Sequence, residues 1–367
     1  MSKHKRDRER KRRAAFQIKG EVGFFDRSDR NAKLSQLGDP LEKLNAEVNW
    51  EIFRADLAQV YAHERKSLAG RKPIDPVLMF KIVTLQRLYN LSDDQTEYQI
   101  RDRATFQRFL GLQVEDGSPD AKTIWTFKER IKGINLTDVL FARFDAELGA
   151  HGLLAKGGQI VDAVIVEVPR QRNTPEENKL IKEGQVPAEW LEQPAKLAQK
   201  DLDARWTKKR GETYYGYKNH INIDQEHKLI RSHEVTDASV HDSQVLDAVL
   251  DAQAKDRAVY ADSAYRSAER ERWLSENGLV SKICERAYRN CSMTETQTIS
   301  NKGKSVVRAR VEHIFGFMHN SMNGVFIRSI GIDRATMHIG LMNLTYNFAR
   351  FAQIKRKERM SMCVQAA

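Results

Sequence analysis

Apolar residues recur at every third or fourth position through much of the first half of the chain, a spacing typical of helices that pack against a core. The clearest example follows Asp75 and Pro76, an N-cap residue and a proline at the first helical position, because the apolar residues at 78, 82, 85 and 88 then share one face. Similar start signals precede three further helices: Ser92 with Gln95 as a capping box, Ser118-Pro119-Asp120, and Thr137-Asp138. The pattern predicts an all-helical region that ends at a group of glycines between residues 149 and 158.

After residue 158 the pattern changes to short runs of strand length that are rich in β-branched and aromatic residues. The predicted strands cover 159–168, 213–223, 229–236, 258–262 and 279–284, and the predicted helices cover 243–254, 267–277 and roughly 305–319. This order predicts a mixed α/β fold, a five-stranded sheet with flanking helices. Residues 173–212 are polar and mostly helix-forming, so we interpret them as an insertion between the first two strands.

The changes of pattern and charge predict four parts of the chain. A basic N-terminal arm covers residues 1–35, and an all-helical domain covers 36–152. An α/β domain that includes the insertion covers 153–354, and a basic tail covers 355–367.

Positive charge exceeds negative charge, with 61 Lys and Arg residues against 50 acidic ones and a net charge of +11. Residues 1–13 contain eight basic and two acidic residues, so more than half of the excess lies in the N-terminal arm. Such an excess favours a polyanionic partner, because Lys and Arg gain affinity by releasing counterions from phosphates. We predict that Lys5, Arg6, Arg12 and Arg13 contact DNA; the alternative is a solvated tail without a role.

Composition excludes several other classes of protein. Apolar residues make up 41% of the chain and charged residues 30%, which indicates folded cores and not a disordered chain. The three cysteines, Cys284, Cys291 and Cys363, form no CxxC pair, so neither a zinc site nor a disulfide framework is predicted. No apolar stretch approaches 18 residues and the N-terminus has no signal sequence, so we expect a cytoplasmic protein without a membrane partner.

Two aspartates accompany strands that are otherwise apolar. Asp162 lies inside the strand 159–168, on the same face as Ile160 and Val164, where an ionised carboxylate is costly unless it is paired or bound to metal. Asp262 follows the apolar run 258–261, at a strand end of the kind where ligands collect in α/β sheets. The alternatives are an edge position exposed to water for Asp162 and a turn or cap role for Asp262.

A third acid, Glu312, belongs to a polar stripe on the last predicted helix. Ser305, Arg308, Glu312 and His319 fall within roughly 60° of one another at about 100° per residue. The stripe could face the same edge of the sheet as the two aspartates. The alternative is a surface ion pair between Arg308 and Glu312, worth at most about 1 kcal/mol.

Three carboxylates from two strands and a helix would form a cage of hard oxygen ligands, which suits Mg²⁺ or Mn²⁺ better than zinc. Two such ions can activate a water or a 3′-hydroxyl and stabilise the leaving oxygen of a phosphodiester. Arg308 could stabilise the added charge of the transition state or grip a nearby phosphate.

Seven motifs follow one another along the chain: LQRLYNLSDDQTEYQIRD (85–102), SPDAKTIWTFKERI (118–131), IVDAVIVEVPRQRN (160–173), DARWTKKRGETYYGYKNHINID (203–224), TDASVHDS (236–243), YADSAYRS (260–267) and RARVEHIFGFMH (308–319). In this order they resemble the motifs of transposases of the insertion-sequence-five family, within the DDE group that includes the insertion-sequence-four type. The resemblance covers roughly residues 70–350.

The resemblance implies that Asp162, Asp262 and Glu312 are the catalytic, metal-binding acids. It also implies a ribonuclease H-like fold, two Mg²⁺ ions with Mn²⁺ as a substitute, and a helical region that recognises the ends of the element. In the broader signature Tyr-x2-Arg-x3-Glu-x6-Lys, Arg308 and Glu312 match. Ser305 and His319 replace the Tyr and the Lys, which puts some contacts to the DNA ends in doubt and leaves the metal ligands intact.

Further DNA contacts are predicted where basic and aromatic residues alternate, between residues 203 and 220. The predicted contacts are Lys208, Lys209, Arg210 and Lys218, together with Ser305, Arg308, Arg310 and His319 on the last helix. The tyrosines 214, 215 and 217 could stack on bases or pack across the sheet, and both interpretations stay open. His241 and Asp242 could support the site, although helix capping is the preferred role for Asp242.

These predictions combine into one leading function. The chain is expected to be a bacterial, nucleoid-associated DNA transposase that binds the terminal inverted repeats and target DNA, cuts strands and transfers them, and acts as a homodimer in a synaptic complex. Two alternatives stay open: a ribonuclease H-like nuclease without strand transfer, and a catalytically silent DNA-binding descendant of a transposase.

Overall fold

The computed structural model describes residues 26–62, 72–113, 115–153, 155, 157–251, 257–287 and 292–365. Its first part is helical, as predicted, with two short 3-10 turns at Trp50–Phe53 and Gln59–Tyr61. The helices are α1 (Asp26–Leu37), α2 (Pro40–Glu47), α3 (Arg54–Ala58), α4 (Pro76–Leu88), α5 (Asp93–Asp102), α6 (Ala104–Leu110), α7 (Ala121–Gly133) and α8 (Leu136–Ala150).

Side-chain caps explain where four of these helices begin, namely α2, α4, α5 and α7. Asp75 accepts hydrogen bonds from the backbone of Val77 and Leu78, at 2.9 and 3.0 Å, and starts α4. Ser92 and Gln95 form the predicted capping box of α5. α3, α6 and α8 begin without a side-chain cap, and α8 begins at Leu136, before the predicted Thr137-Asp138 start.

The second part contains a mixed sheet of strands β1 (Gln159–Glu167), β2 (Arg205–Lys209), β3 (Glu212–Asp224), β4 (Ile230–Asp237), β5 (Ala258–Tyr260) and β6 (Val280–Ser281). The strand order is β2–β3–β1–β5–β6, and β4 pairs with the far half of β3. β1 runs antiparallel to β3, with Gln159 opposite Asp224 and Glu167 opposite Gly216. β5 is parallel to β1, and β6 is parallel to β5.

The sheet therefore has a sixth strand, β2, where the sequence predicted five. β2 lies in the stretch interpreted as a helix-forming insertion, and its exposed lysines hide the apolar alternation that marks a strand. It pairs with β3 through a two-residue turn of Arg210 and Gly211, both at positive φ as such hairpin turns require.

The remainder of the insertion is helical, as predicted, in three short helices: α9 (Pro175–Lys182), α10 (Ala188–Leu191) and α11 (Pro194–Leu197). Trp190 is fully buried at their centre and donates to Glu177 at 2.8 Å. The Lys200 ammonium lies 4.7 Å from the centre of the Trp190 ring. These contacts give the insertion a small core of its own.

Four helices complete the described chain: α12 (Leu246–Val249), α13 (Ala268–Glu276), α14 (Glu295–Asn320) and α15 (Ile332–Gln365), with 3-10 turns at Asp242–Gln244 and Ser263–Tyr265. α12 is shorter than the helix predicted over 243–254, of which residues 252–254 lie outside the described part. α14 begins ten residues before the predicted start, after a capping box of Thr294 and Gln297. α15 continues through most of the basic tail predicted over 355–367.

One hydrophobic core joins the helical region to the sheet. It includes Phe53 and Phe80 from the helices, Val166 from β1 and Phe348 from α15. α15 packs against β4 on one side and α2, α4 and α8 on the other. The predicted boundary near residue 152 therefore separates the helical region from the sheet in the sequence, but the two share one hydrophobic core.

The opposite face of the sheet has a second, smaller cluster that includes Val161, Leu246 and Leu274. Since β1 contributes to both clusters, it is buried on both faces. No helix within the described residues combines the length and apolarity needed to cross a bilayer.

Candidate active site

Asp162 lies at the centre of the sheet, because β1 is flanked by β3 on one side and by β5 on the other. Its side chain is 15% exposed, and its carboxylate accepts from the backbone N–H of Ala163 at 2.8 Å. The alternative of an exposed edge position is therefore wrong. A carboxylate in such a place requires a positive partner.

Asp262 follows β5, the parallel neighbour of β1. It caps the 3-10 turn Ser263–Tyr265, and its Oδ1 accepts from Ser263 N at 2.6 Å. Its side chain is 52% exposed. The cap role and a place beside Asp162 are both observed, so the two interpretations of this residue do not exclude each other.

Arg308 joins the two aspartates from α14, which packs on β1 and β5. Its Nη2 lies 3.3 Å from Asp162 Oδ2, and its Nη1 lies 3.8 Å from Asp262 Oδ1. The side chains of Arg308 and Asp162 are 18% and 15% exposed, so this pair is mostly shielded from water, while Asp262 lies at the more open end of the cluster. The alternative of a surface ion pair between Arg308 and Glu312 is not observed; the arginine pairs with the aspartates instead.

The electrostatics of this cluster favour additional positive charge. Burial raises the pKa of Asp162, and the Glu312 charge raises it further, while Arg308 and Lys209 lower it without cancelling the effect of burial. Burial also lowers the pKa of Arg308, but Asp162 and Asp262 outweigh burial and the net direction is upward. One guanidinium therefore only partly compensates the buried carboxylate.

Glu312 stands one turn after Arg308 on α14 and is exposed. It has no contact with either aspartate, although its charge acts on Asp162. Among the residues whose placement is described, no three His, Cys, Asp or Glu side chains converge closely enough to hold a metal ion. The structure thus brings together two of the three predicted ligands, with the third on the neighbouring turn.

Two residues of this site were missed by the sequence predictions. Tyr265 is 2% exposed, its hydroxyl is buried without a hydrogen-bond partner, and burial together with the charge of Asp162 raises its pKa. The Cys284 thiol lies beside Arg308 and contributes to the raised pKa of that guanidinium. Tyr265 falls within the motif YADSAYRS, but nothing in its local pattern indicated a role.

The predicted DNA contacts fall into three groups. Lys208, Lys209 and Arg210 are exposed on the β2–β3 hairpin, and Ser305 and His319 are exposed on α14. Arg310 is half-buried and donates to the carbonyl of Gln225, which ties α14 to the β3–β4 turn. Lys5, Arg6, Arg12 and Arg13 lie outside the described residues.

Lys218 is not free to reach DNA as predicted, because its ammonium is held inside the protein. It lies 2.6 Å from the carbonyl of Val240 and 2.8 Å from Asp242 Oδ1, with 13% of the side chain exposed. Asp242 is therefore an ion-pair partner. The cap of the following turn is His241, whose Nδ1 accepts from Ser243 N.

The tyrosines of β3 mainly pack within the protein. Tyr215 and Tyr217 are 3% and 0% exposed. The Tyr217 hydroxyl donates to the carboxylate of Asp201 at 2.8 Å. Tyr214 is half-buried, while Trp206 on β2 is 40% exposed. Of the two open interpretations, cross-strand packing is the one that Tyr215 and Tyr217 follow.

Comparisons with known proteins match two stretches of this chain to family models. The family model described as "Transposase DDE domain" matches residues 154–348, which is more than half of the chain. The model described as "Transposase domain (DUF772)" matches residues 28–130, within the helical region. Among solved structures, the chain is similar to the cryo-EM structure of the piggyBac transposase synaptic complex with hairpin DNA, with 12% identity, a TM-score of 0.46, and 89% of this chain and 77% of that chain covered.

Proposed function

Because this chain belongs to the family of transposase DDE domains and is therefore a DNA transposase, we propose that Asp162, Asp262 and Glu312 are the acids that hold its divalent metal ions. The observation that carries this proposal is the position of Arg308, whose guanidinium lies between the carboxylates of Asp162 and Asp262. Two acids 100 residues apart in the chain share one cation at the centre of the sheet. DDE transposase domains use divalent metal ions, and we propose Mg²⁺, with Mn²⁺ as a substitute.

The donor set fits such ions in charge and chemistry. Two aspartates supply hard oxygen ligands, and the raised pKa of Asp162 indicates that one arginine leaves the buried charge undercompensated. Glu312 is exposed on the next turn of α14. When bound, the ions supply an activated water or 3′-hydroxyl and stabilise the leaving oxygen of a phosphodiester.

Arg308 has a distinct role in the proposal. Without bound metal its two Nη groups lie beside the carboxylates of Asp162 and Asp262 and compensate part of their charge. We propose that the scissile phosphate lies next to the same guanidinium. A guanidinium binds phosphate oxygens with two parallel hydrogen bonds. We assign Arg308 to grip the phosphate of the bound strand and to stabilise the charge that develops on it.

The DNA is proposed to follow the β2–β3 hairpin toward these acids. Lys208, Lys209 and Arg210 are exposed at the hairpin turn, and the charge of Lys209 lowers the pKa of Asp162. Ser305 and His319 are exposed on α14 and extend the same path, and the N-terminal arm through Lys5, Arg6, Arg12 and Arg13 adds phosphate contacts from outside the described part. Lys218 and Arg310 are left out, since both are engaged within the protein.

The strand arrangement supports the ribonuclease H-like fold implied by the motifs: three antiparallel strands, β1, β3 and β4, followed by two strands parallel to β1. The ordered motifs support membership of the insertion-sequence-five group. Two element ends must meet for transposition, so we propose a homodimer that binds terminal inverted repeats and target DNA, cuts strands and joins 3′-hydroxyl ends to the target.

The test uses the full chain and duplexes that carry the sequences flanking its gene. Asp162→Asn, Asp262→Asn and Glu312→Gln should each lower Mg²⁺-dependent nicking at least 1000-fold while DNA binding in EDTA is retained. Asp145→Asn, which removes a half-exposed aspartate paired with Arg231, is the matched control and should cut normally. Normal cutting by any of the three acid variants would refute the assignment of that residue.

A strand-transfer assay with labelled 3′ ends separates transposition from the two alternatives. Labelled ends joined to target DNA support the proposal. Nicking without joining would indicate a nuclease, and DNA binding without Mg²⁺-dependent nicking would indicate a silent descendant.

A further inference from the structure

A second group of cations lines a cleft of about 350 Å³ away from the catalytic acids. The cleft lies between α4, α7, the start of α15 and the segment 328–330. Its cations are Arg87, Lys128, Arg328 and Arg334, and its acids are Asp93 and Glu129.

Two of these cations are already paired. Lys128 Nζ lies 2.5 Å from Asp93 Oδ1, and Arg334 makes two bonds to Glu129, at 2.6 and 3.0 Å. Arg87 and Arg328 have no carboxylate within ion-pair distance among the described side chains. The cleft therefore has two uncompensated positive charges.

Arg87 is the more informative of the two, because it is only 8% exposed and its Nε is buried without a hydrogen-bond partner. Burial is the main reason that the pKa of Arg87 is lowered to about 10; the charge of Asp93 opposes this shift and that of Arg328 adds to it. Burying an unpaired guanidinium costs several kcal/mol in general. A fold has little reason to retain such a group unless a ligand compensates it.

Other polar atoms of the cleft also lack partners. The Ser329 hydroxyl and His338 Nδ1 are buried without hydrogen bonds, and His338 is 8% exposed. Burial, followed by the charges of Arg87 and Lys128, lowers the pKa of His338. The histidine is thus neutral at physiological pH and offers a hydrogen bond to a ligand without adding charge.

We propose that this cleft binds a phosphate group of DNA, distinct from the scissile phosphate at Asp162. Arg87 and Arg328 supply the charge, and Ser329 and His338 supply neutral hydrogen bonds. Trp125, 47% exposed, also lines the cleft and offers a surface on which the adjoining base can stack.

The cleft is connected to the catalytic acids by β1. The backbone of Glu167, at the end of β1, bonds to Val325 and Ile327, and this segment leads directly into Arg328. Glu167 is five residues from Asp162, about 17 Å along an extended strand.

The first experiment asks whether the cleft binds phosphate at all, with inorganic phosphate as the probe and the full chain in EDTA. Phosphate should raise the Tm of the wild type by several degrees relative to chloride at equal ionic strength. Arg87→Met should raise the Tm in chloride, because an unpaired buried charge is removed, and should abolish the response to phosphate. Arg328→Gln should weaken the phosphate response at least tenfold, while Arg101→Gln, a surface arginine of α5 outside the cleft, should leave it unchanged.

An equal response to phosphate in the wild type, Arg87→Met and Arg328→Gln would overturn the proposal. So would a lower Tm of Arg87→Met in chloride, since it would mean that the fold itself depends on the guanidinium.

The second experiment identifies the source of the phosphate. Binding of a 20-base-pair duplex is measured in EDTA over a range of salt concentrations. Arg328→Gln should reduce the slope of log K against log[salt] by about 1, as expected for one lost phosphate contact, and Arg101→Gln should not. A lost phosphate response with an unchanged DNA slope would assign the cleft to a free phosphate-bearing ligand and overturn the DNA assignment. Both experiments exclude metal, so their outcome is independent of the catalytic test.

Discussion

Arg308 Nη2 lies 3.3 Å from the carboxylate of Asp162, which occupies the central strand of the sheet. The same guanidinium reaches Asp262 at 3.8 Å. An arginine from a helix therefore supplies the positive charge that a buried acid requires, at the place proposed for metal. Two consequences of this relationship can be measured.

Asp162→Asn should raise the Tm of the metal-free protein by a few degrees at pH 7. The folded protein raises the pKa of Asp162 even with Arg308 beside it, so the charged carboxylate is disfavoured by folding. The protonated carboxyl does not destabilise the fold, so the wild type has its full stability below the unfolded pKa of about 3.9. Part of the free energy of unfolding is then lost as the pH rises through the folded pKa and the carboxyl ionises. Thermal unfolding in EDTA from pH 3 to pH 8 measures it, and the variant's advantage should vanish near pH 3. A variant less stable than wild type at pH 7 would contradict the argument.

Arg308→Gln should tighten divalent-metal binding several-fold and lower strand cleavage. The guanidinium occupies the space between the two aspartates, so a metal ion has to compete with it for the same oxygens. Calorimetric titration with Mg²⁺ or Mn²⁺ measures the affinity. The control is Arg266→Gln. Arg266 pairs with Glu285 and not with the two aspartates, so this variant should bind metal as the wild type does. Unchanged affinity in Arg308→Gln would mean that the metal ions bind elsewhere.

Lys208, Lys209 and Arg210 are replaced by Gln in one triple variant. The slope of log K for DNA binding against log[salt] should then fall by up to about 3. All three are exposed at one hairpin turn. The control removes the same charge from the opposite edge of the sheet, as Arg272→Gln, Lys282→Gln and Arg286→Gln, and should change the slope much less. Equal effects would mean that net charge matters and the hairpin does not.

Tyr217→Phe should destabilise the protein by about 1–3 kcal/mol and leave DNA binding unchanged. The hydroxyl it removes is buried and donates to Asp201, itself 2% exposed. Urea denaturation measures the loss. Tyr214→Phe, whose partner Glu212 lies at the surface, should cost less than about 0.5 kcal/mol. Weaker DNA binding in Tyr217→Phe at full stability would restore the base-stacking interpretation.

Gly216→Ala should cost at least about 2 kcal/mol. Gly216 has φ of +154°, and an added Cβ would overlap the carbonyl oxygen of Val166 on β1. β3 would have to move away from β1 near the hairpin that carries Lys208 to Arg210. Gly303→Ala in α14 meets no neighbouring atom and should be neutral or stabilising. A Gly216→Ala protein of wild-type stability would show that the two strands can separate freely there.

Features set by neighbours in the sequence could be predicted. The starts of α4 and α5 depend on caps within three residues, and both were predicted correctly. Asp162 could be selected because a carboxylate in an apolar strand is conspicuous without any knowledge of the fold. The two-residue turn of Arg210 and Gly211 is also local, but the polar strand before it concealed the hairpin.

Features set by distant neighbours could not be predicted. The ion pair of Lys218 with Asp242 and the hydrogen bond from Tyr217 to Asp201 join residues far apart in the sequence, so both depend on the tertiary fold. The basic character of Lys218 indicated DNA contact, whereas packing turned it into an internal ion pair. Arg87 lies within an ordinary amphipathic helix, and only tertiary burial shows that its charge has no partner.

Helix α15 is 34 residues long and about 50 Å from end to end, and its position determines what a truncated form of this protein can do. Helices α2, α4 and α8 and strand β4 all pack against it. Asn343 and Asn347 hydrogen-bond it to β3 and β4. Residues 332–365 are therefore needed by both the helical region and the sheet. A frameshift or stop codon upstream of residue 332 would leave no half that folds as it does here, so a truncated copy of the gene should yield neither a working enzyme nor a stable competitor for DNA.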